Sequence, residues 1–185
     1  MNAIVVYESL WGNTAEVARA VAEGLGPGAR VLRTDEASTA DAAGADLVVA
    51  GAPVFGFKLS SQKMRDGIRQ SPGKGPAPDL SCPLLRTWLA ELPPGAAGCA
   101  AFDTQVRGPF GKGAPEILEL LEARGYAPVA APQGFVVKGS QGPLKKGEAE
   151  RARAWGAELA RVVGTVDGVS GGQPHHTREA TSDPG

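Results

Sequence analysis

The chain has 185 residues, of which 42% are hydrophobic and 21% charged, and its formal net charge is −1. This length fits one domain, and the near-neutral charge disfavours a nucleic-acid-binding protein, which needs clustered lysine and arginine. No apolar run approaches the roughly 18 residues that a membrane helix requires. Cys82 and Cys99 do not make a disulfide framework. We therefore expect a cytoplasmic protein with no membrane span and no nucleic-acid partner.

Short apolar runs alternate with amphipathic segments about five times along the chain. The predicted strands cover 3–7, 29–33, 46–52, 98–102 and, as an interrupted fifth strand, 127–131 with 135–137. One predicted helix follows the first strand and ends at Leu25. The others cover 36–45, 60–69, part of 83–92, about 117–124 and 145–163. This alternation predicts an α/β fold, a three-layer sandwich around a parallel sheet.

The periodic pattern ends near Gly164. We therefore predict one domain over 1–164 and a disordered C-terminal tail over 165–185, because the tail has almost no large apolar residues to bury. In a parallel sheet of this kind, ligands bind outside the carboxyl ends of the strands. The loops that follow the strands are therefore the candidate site.

The loop after the first strand reads Ser9-Leu10-Trp11-Gly12-Asn13-Thr14 and leads into a helix. It offers two hydroxyls, one amide and a glycine that lets the backbone turn. A helix start presents free N–H groups and a partial positive charge, which favour an anion. The loop has no lysine or arginine, so neutral donors would hold a terminal phosphate. The alternative is an ordinary helix start capped by Asn13 or Ser9.

This loop resembles the phosphate-binding loop of flavodoxins, usually Ser/Thr-x-Thr-Gly-Asn-Thr. Ser9, Gly12, Asn13 and Thr14 match this pattern, and Trp11 stands where a threonine is commonest. The resemblance covers residues 1 to about 163 and is to the short-chain branch. It implies a doubly wound, five-stranded parallel sheet of order 2-1-3-4-5 with FMN as cofactor. A Rossmann fingerprint and a P-loop are both absent from the sequence.

The loop after the third strand reads Gly51-Ala52-Pro53-Val54-Phe55-Gly56-Phe57 and resembles the second flavin loop of the family. An isoalloxazine ring needs a flat apolar partner and backbone hydrogen bonds along its edge. Phe55 or Phe57 is expected to stack on the ring, while the other packs beneath the loop. Pro53, Val54 and Gly56 complete the predicted contacts.

The loop after the fourth strand reads Phe102-Asp103-Thr104-Gln105-Val106-Arg107-Gly108 and occupies the place of the third flavin loop. Phe102, Asp103, Thr104 and Arg107 are its predicted cofactor contacts. Asp103 either accepts a hydrogen bond from the flavin or caps the turn after the strand. Arg107 either stabilises a reduced, anionic flavin, meets an acidic partner or is a solvated charge.

The remaining residues with reactive side chains fit structural roles. Trp88 and Trp155 have helical spacing among apolar residues, and Cys99 lies in a predicted strand, so all three are expected in the core. Cys82 has no activating neighbour in sequence. We predict no metal site, and no nucleophile–base pair points to hydrolysis.

The resemblance leaves three functions open. The first is FMN-dependent electron transfer with a redox partner protein or a small acceptor such as a quinone. The second is an FMN-dependent NAD(P)H/quinone or protoporphyrinogen-type oxidoreductase, because electron-carrier flavodoxins are usually strongly acidic and this chain is not. The third is a binding module of the same fold without FMN.

Overall fold

The structure is a computed structural model that describes residues 1–55, 57–71, 73, 75–108, 111–139 and 141–169. Gly56 and residues 170–185 of the predicted tail lie outside the described residues. Among the described helices, none combines the length and the apolar character that crossing a membrane requires.

The described strands form one sheet, parallel except at β4. They are β1 (Ala3–Tyr7), β2 (Ala29–Arg33), β3 (Leu47–Phe55), β4 (Lys58–Leu59), β5 (Gly98–Val106), β6 (Ala127–Pro128) and β7 (Gln133–Val137). Their order is β2-β1-β3-β5-β6, with β7 also paired to β5 and the short β4 antiparallel to β3. This order is similar to the predicted 2-1-3-4-5, but the predicted fifth strand is two short strands and β4 is an addition. The predicted α/β fold class is confirmed.

The helices flank the sheet on both faces, as expected for a doubly wound fold. They are α1 (Asn13–Leu25), α2 (Thr39–Ala43), α3 (Gln62–Gln70), α4 (Leu85–Glu91), α5 (Ala114–Glu122) and α6 (Glu148–Val169). Each predicted helix is present, and α1 ends at Leu25 as predicted. The last helix continues past Gly164 to Val169.

Alternate residues of the central strands pack on opposite sides of the sheet, which gives two cores. One core joins β1, β3 and β5 to α1 and α6 and contains Trp155. The other joins the same strands to α4 and α5 and contains Trp88 and Cys99. Burial raises the pKa of the Cys99 thiol to about 12, which leaves it protonated and inert. The three predicted core residues are therefore confirmed.

Two central strands run further toward the candidate site than predicted. β3 was expected to stop before Pro53 but continues to Phe55, because its pairing with β1 ends at Gly51 and a proline is tolerated where one side of a strand is unpaired. β5 continues to Val106. Its pairing with β3 ends where Thr104 lies opposite Pro53, and its pairing with β7 runs from Phe102 to Val106. The predicted third loop is therefore mostly strand.

Candidate functional site

The first loop turns sharply at Gly12. The backbone of Gly12 is left-handed, with φ of 88°, a conformation that glycine adopts without strain. Its N–H donates to the Ser9 hydroxyl oxygen at 3.1 Å, and its carbonyl oxygen accepts from the Glu16 N–H at 3.0 Å. The loop therefore passes directly from the end of β1 into the first turn of α1.

The N-cap residue of α1 is Gly12, which has no side chain to act as a cap. The Ser9 hydroxyl accepts the Gly12 N–H, and the Asn13 amide donates to the Gln141 carbonyl oxygen at 3.1 Å. Of the caps that the alternative names, the described contacts thus contain one bond, from Gly12 to Ser9. The N–H groups of residues 13–15 have no acceptor among the described residues.

Two hydroxyls meet behind this helix start. The Oγ1 atoms of Thr14 and Thr104 lie 2.8 Å apart, and both side chains are buried. Each hydroxyl carries one hydrogen, and their mutual bond uses only one of the two. Neither hydroxyl has a second hydrogen-bond partner among the described residues. This contact ties the predicted first and third loops together.

A buried ion pair lies beneath the first loop. Arg65 of α3 donates to Glu8 Oε1 at 2.7 Å, and the two side chains are 3% and 0% exposed. The Ser60 hydroxyl also donates to Oε1, and the Leu85 N–H donates to Oε2 at 2.8 Å. Glu8 directly follows β1, so the pair anchors the base of the first loop to the chain after β3.

The segment 75–79 packs along the outside of the first loop. The Asp79 N–H donates to the Leu10 carbonyl oxygen at 2.8 Å, and the indole N–H of Trp11 donates to the Pro76 carbonyl oxygen at 3.0 Å. Trp11 therefore fastens this covering segment. The sequence predicts a Pro/Gly-rich loop here but gives no signal of where that loop packs.

The end of β3 carries the exposed aromatic residue of the site. Phe57 is 59% exposed, and its φ of 78° is strained for a residue other than glycine. It forms a parallel bridge with Gly111, and a Cβ on Gly111 would overlap the backbone of Phe57. Pro53 and Val54 are half-buried before it. Gly56 and the Phe55 side chain lie outside what the structure describes, so the predicted roles of the two phenylalanines stay predictions.

Asp103 caps the helix that follows it. Its Oδ2 accepts from the N–H groups of Gly113 and Ala114 at 2.8 Å each, at the start of α5. Burial raises the pKa of the Asp103 carboxyl, and the two amide donors oppose that shift. Its Oδ1 has no hydrogen-bond partner among the described residues. The described contacts of Asp103 thus cap the start of α5, and its predicted hydrogen bond to the flavin stays a prediction.

Phe102 corrects the predicted site. Because β5 continues past it, its side chain alternates to the opposite face from Asp103 and is fully buried. Its ring centroid lies 6.1 Å from that of Phe135 and 6.4 Å from that of Trp155. Phe102 is thus a core residue. Arg107, just past the end of β5, is exposed.

The structure therefore brings residues 9–14 and the ends of β3 and β5 to one edge of the sheet. It adds three features that were missed from the sequence: the Glu8–Arg65 pair, the covering segment 75–79 and the contact of Gly111 with Phe57. Of these features, only Gly111 has a signal in the sequence, because it is a glycine in a short segment between a strand and a helix.

No protein-family model matches the sequence, and no curated protein is significantly similar to it. Solved structures match over most of the chain. A flavodoxin from the domain Archaea superposes with a TM-score of 0.64 at 20% identity, over 89% of this chain and 99% of that one. The chain has a flavodoxin-like fold.

Two further solved structures support this fold assignment. A flavodoxin from Streptococcus pneumoniae has a TM-score of 0.62 at 18% identity, over 86% of this chain and 97% of that one. The flavodiiron core of Flv1 from Synechocystis has a TM-score of 0.59 at 15% identity, over 90% of this chain but 36% of that one. The flavodoxin-like fold thus occurs both alone and within longer chains.

Proposed function

We propose that the chain binds FMN at the carboxyl edge of its sheet and exchanges electrons with a redox partner. The start of α1 carries this proposal. Its first-turn amides, which follow Gly12, have no acceptor among the described residues, and a phosphate supplies negative charge and several acceptor oxygens.

The first loop fits a terminal phosphate without any cationic side chain. The amides of the first turn of α1 and the spare hydroxyl hydrogen of the Thr14–Thr104 pair are neutral donors. The covering segment 75–79 packs along one side of the loop, and Thr14 and Thr104 are buried. A hydrogen bond from a buried hydroxyl is stronger than the same bond in water.

The ring end fits a flat apolar group. Phe57 offers an exposed aromatic face beside the half-buried Pro53 and Val54. The strained backbone of Phe57 is held by its contact with Gly111, and such strain concentrates at functional sites. We infer that Asp103 contributes indirectly, because it fixes the start of α5 behind this loop.

FMN supplies one- and two-electron chemistry when it is bound. The residues of this chain would hold the phosphate at the first loop, with segment 75–79 packed beside it, and would orient the ring beside Phe57. The chemical step belongs to the cofactor, so no side chain is assigned an acid or base role.

The test compares FMN with riboflavin, which lacks the phosphate. Quenching of flavin fluorescence is titrated with the purified full chain. We expect FMN to bind at least about tenfold more tightly than riboflavin, equivalent to about 1.4 kcal/mol of phosphate binding. Equal affinities would contradict the assignment of the phosphate end, and no binding of either flavin would leave the binding module as the function.

A second measurement separates the carrier from the enzyme. NADH or NADPH is added to the FMN-loaded protein without oxygen, and the visible absorbance is followed. Bleaching that requires a separate reductase supports the electron carrier. Rapid bleaching by the nucleotide alone supports the NAD(P)H-dependent oxidoreductase.

A further inference from the structure

The charges of the chain are unevenly distributed along the carboxyl edge of the sheet. The three segments 53–63, 103–113 and 138–147, which follow β3, β5 and β7, hold seven of the 19 lysines and arginines. They hold one of the 20 aspartates and glutamates, which is Asp103. The seven cations are Lys58, Lys63, Arg107, Lys112, Lys138, Lys145 and Lys146. We name them the basic rim.

All seven side chains of the basic rim are exposed. Their segments lie side by side because β3, β5 and β7 are neighbours in the sheet and end at the same edge. Phe57 and Gly111, which bridge two of the segments, directly precede Lys58 and Lys112. The one acid, Asp103, is buried and directed at α5.

None of the seven cations forms a close ion pair within the described residues, although Lys145 acts through space on Glu148 and Lys112 on the buried Asp103. Arginines elsewhere are paired with nearby acids, as Arg69 is with Asp66 and Arg151 with Glu148. Like charges grouped without counter-charges give a local positive potential, even on a chain whose net charge is −1.

Phe57 gives this charged surface an apolar centre. Protein interfaces commonly have an aromatic residue at the centre and polar or charged residues around it. Neighbouring strands lie about 4.8 Å apart, so loops on three successive strands spread over roughly 10 Å before side chains are counted. That spread suits a protein surface better than a single small anion.

From this arrangement we infer that the basic rim is the docking surface for an acidic redox protein, whose carboxylates meet the lysines around Phe57. The inference rests on the proposed function, because it takes the flavin ring to lie at this end of the site. Docking over Lys58 and Lys112 brings the partner next to the ring edge, and segment 138–147 extends the surface toward the first loop, where Gln141 accepts from the Asn13 amide. The long-range attraction acts mainly on the rate of association and on the choice of partner.

The test measures binding of an acidic two-iron ferredoxin to the full chain by thermophoresis, with and without FMN. Titrations run at about 25 mM and about 250 mM NaCl. The Debye length is about 10 Å at an ionic strength between these two concentrations, so screening is weak at the first and strong at the second. The Lys58→Glu/Lys112→Glu variant is expected to weaken binding roughly tenfold at low salt. The matched control, Arg19→Glu/Arg161→Glu, makes the same charge change at exposed positions on α1 and α6 and is expected to change binding less than about twofold.

The outcomes separate the docking surface from the cofactor. Salt-sensitive ferredoxin binding that only the Lys58/Lys112 variant loses supports the docking surface, even where FMN does not bind and the proposed function fails. Equal losses in both variants, or equally tight binding of basic cytochrome c, overturn it. Comparable binding of a DNA duplex overturns it in favour of a general polyanion surface. The Lys145→Glu/Lys146→Glu variant tests the part of the basic rim on segment 138–147. It replaces the Lys58→Glu/Lys112→Glu variant if that variant does not fold.

Discussion

The loop after β1 and the loops after β3 and β5 lie along the same edge of the sheet, but they are held in place differently. The first loop takes its turn from a local contact, the hydrogen bond from Gly12 to Ser9, and has no cation, although distant segments also hold it in place. The ring end depends on distant segments, as where Phe57 meets Gly111. A phosphate loop can therefore be recognised from a short motif, whereas a ring-binding surface is assembled only by the fold.

The largest expected effect tests the base of the first loop. Arg65→Met leaves the buried carboxylate of Glu8 without its counter-charge, and we expect a loss of about 3–5 kcal/mol in the free energy of unfolding. Urea denaturation measures it. Arg69→Met, on the same helix but in an exposed pair with Asp66, is the control and is expected to cost less than about 1 kcal/mol.

A double variant distinguishes charge from packing at this pair. Glu8→Leu/Arg65→Met removes both charges, and we expect it to be more stable than Arg65→Met alone. If Arg65→Met unfolds at the same urea concentration as the Arg69 control, the buried pair does not anchor the first loop.

The second prediction compares two glycines with left-handed backbones, one at each end of the site. Gly111→Ala is expected to cost about 3 kcal/mol of stability, since it adds both strain and overlap with the Phe57 backbone. Gly12→Ala is expected to cost about 1–2 kcal/mol, because its surroundings are open and only the strain remains. Thermal or urea unfolding gives the order.

The control for both glycines is Gly67→Ala, within α3 and with open space around it. There we expect a gain of about 0.5–1 kcal/mol from helix propensity. Equal costs at Gly12 and Gly111 would mean that the contact between Phe57 and Gly111 does not constrain the ring end.

The third prediction concerns the hydroxyl pair behind the first loop. Thr14→Val leaves the buried Thr104 hydroxyl without its partner, and we expect a loss of about 1–2 kcal/mol in stability. FMN affinity should also fall about tenfold, equivalent to about 1.4 kcal/mol, while riboflavin affinity is unchanged. Thr14→Ser keeps the hydroxyl and should retain both properties. An equal loss for the two flavins would place the effect on the loop rather than on the phosphate.

The smallest effect is a pH dependence at the ring end. Burial raises the folded-state pKa of Asp103 above its ordinary value of about 3.9. Its contribution to stability is therefore complete below about pH 4 and is lost as the pH rises through the raised pKa. The stability of the wild type minus that of Asp103→Asn should fall as the pH rises above about 4, as measured by urea unfolding.

Asp41 supplies the control of opposite sign. Hydrogen bonds from Ser38 and Arg30 lower the pKa of Asp41 to about 2, so its contribution is lost only as the pH falls below about 4. The difference between the wild type and Asp41→Asn should be constant from about pH 4 to pH 7. A constant difference for Asp103→Asn as well would contradict the buried carboxyl's role.

The sequence predicted the fold well, together with the glycine turn of the first loop. The runs 3–7 and 29–33 became strands with those same ends, because buried parallel strands are continuous apolar segments. Pro53 misled the strand prediction, since a proline ends a strand only where both sides are paired. Phe102 misled the site prediction, because its side of the sheet depends on how far β5 continues.

The sequence by itself determined the alternation of strands and helices and the glycine turn before α1, because apolar patterning and turn chemistry act between near neighbours in the chain. Only the tertiary structure decided that Glu8 pairs with Arg65, that segment 75–79 covers the first loop, and that Gly111, with Lys112 after it, lies beside Phe57. Glu8 and Arg65 are 57 positions apart, and no local pattern records which distant side chain will offset a buried charge.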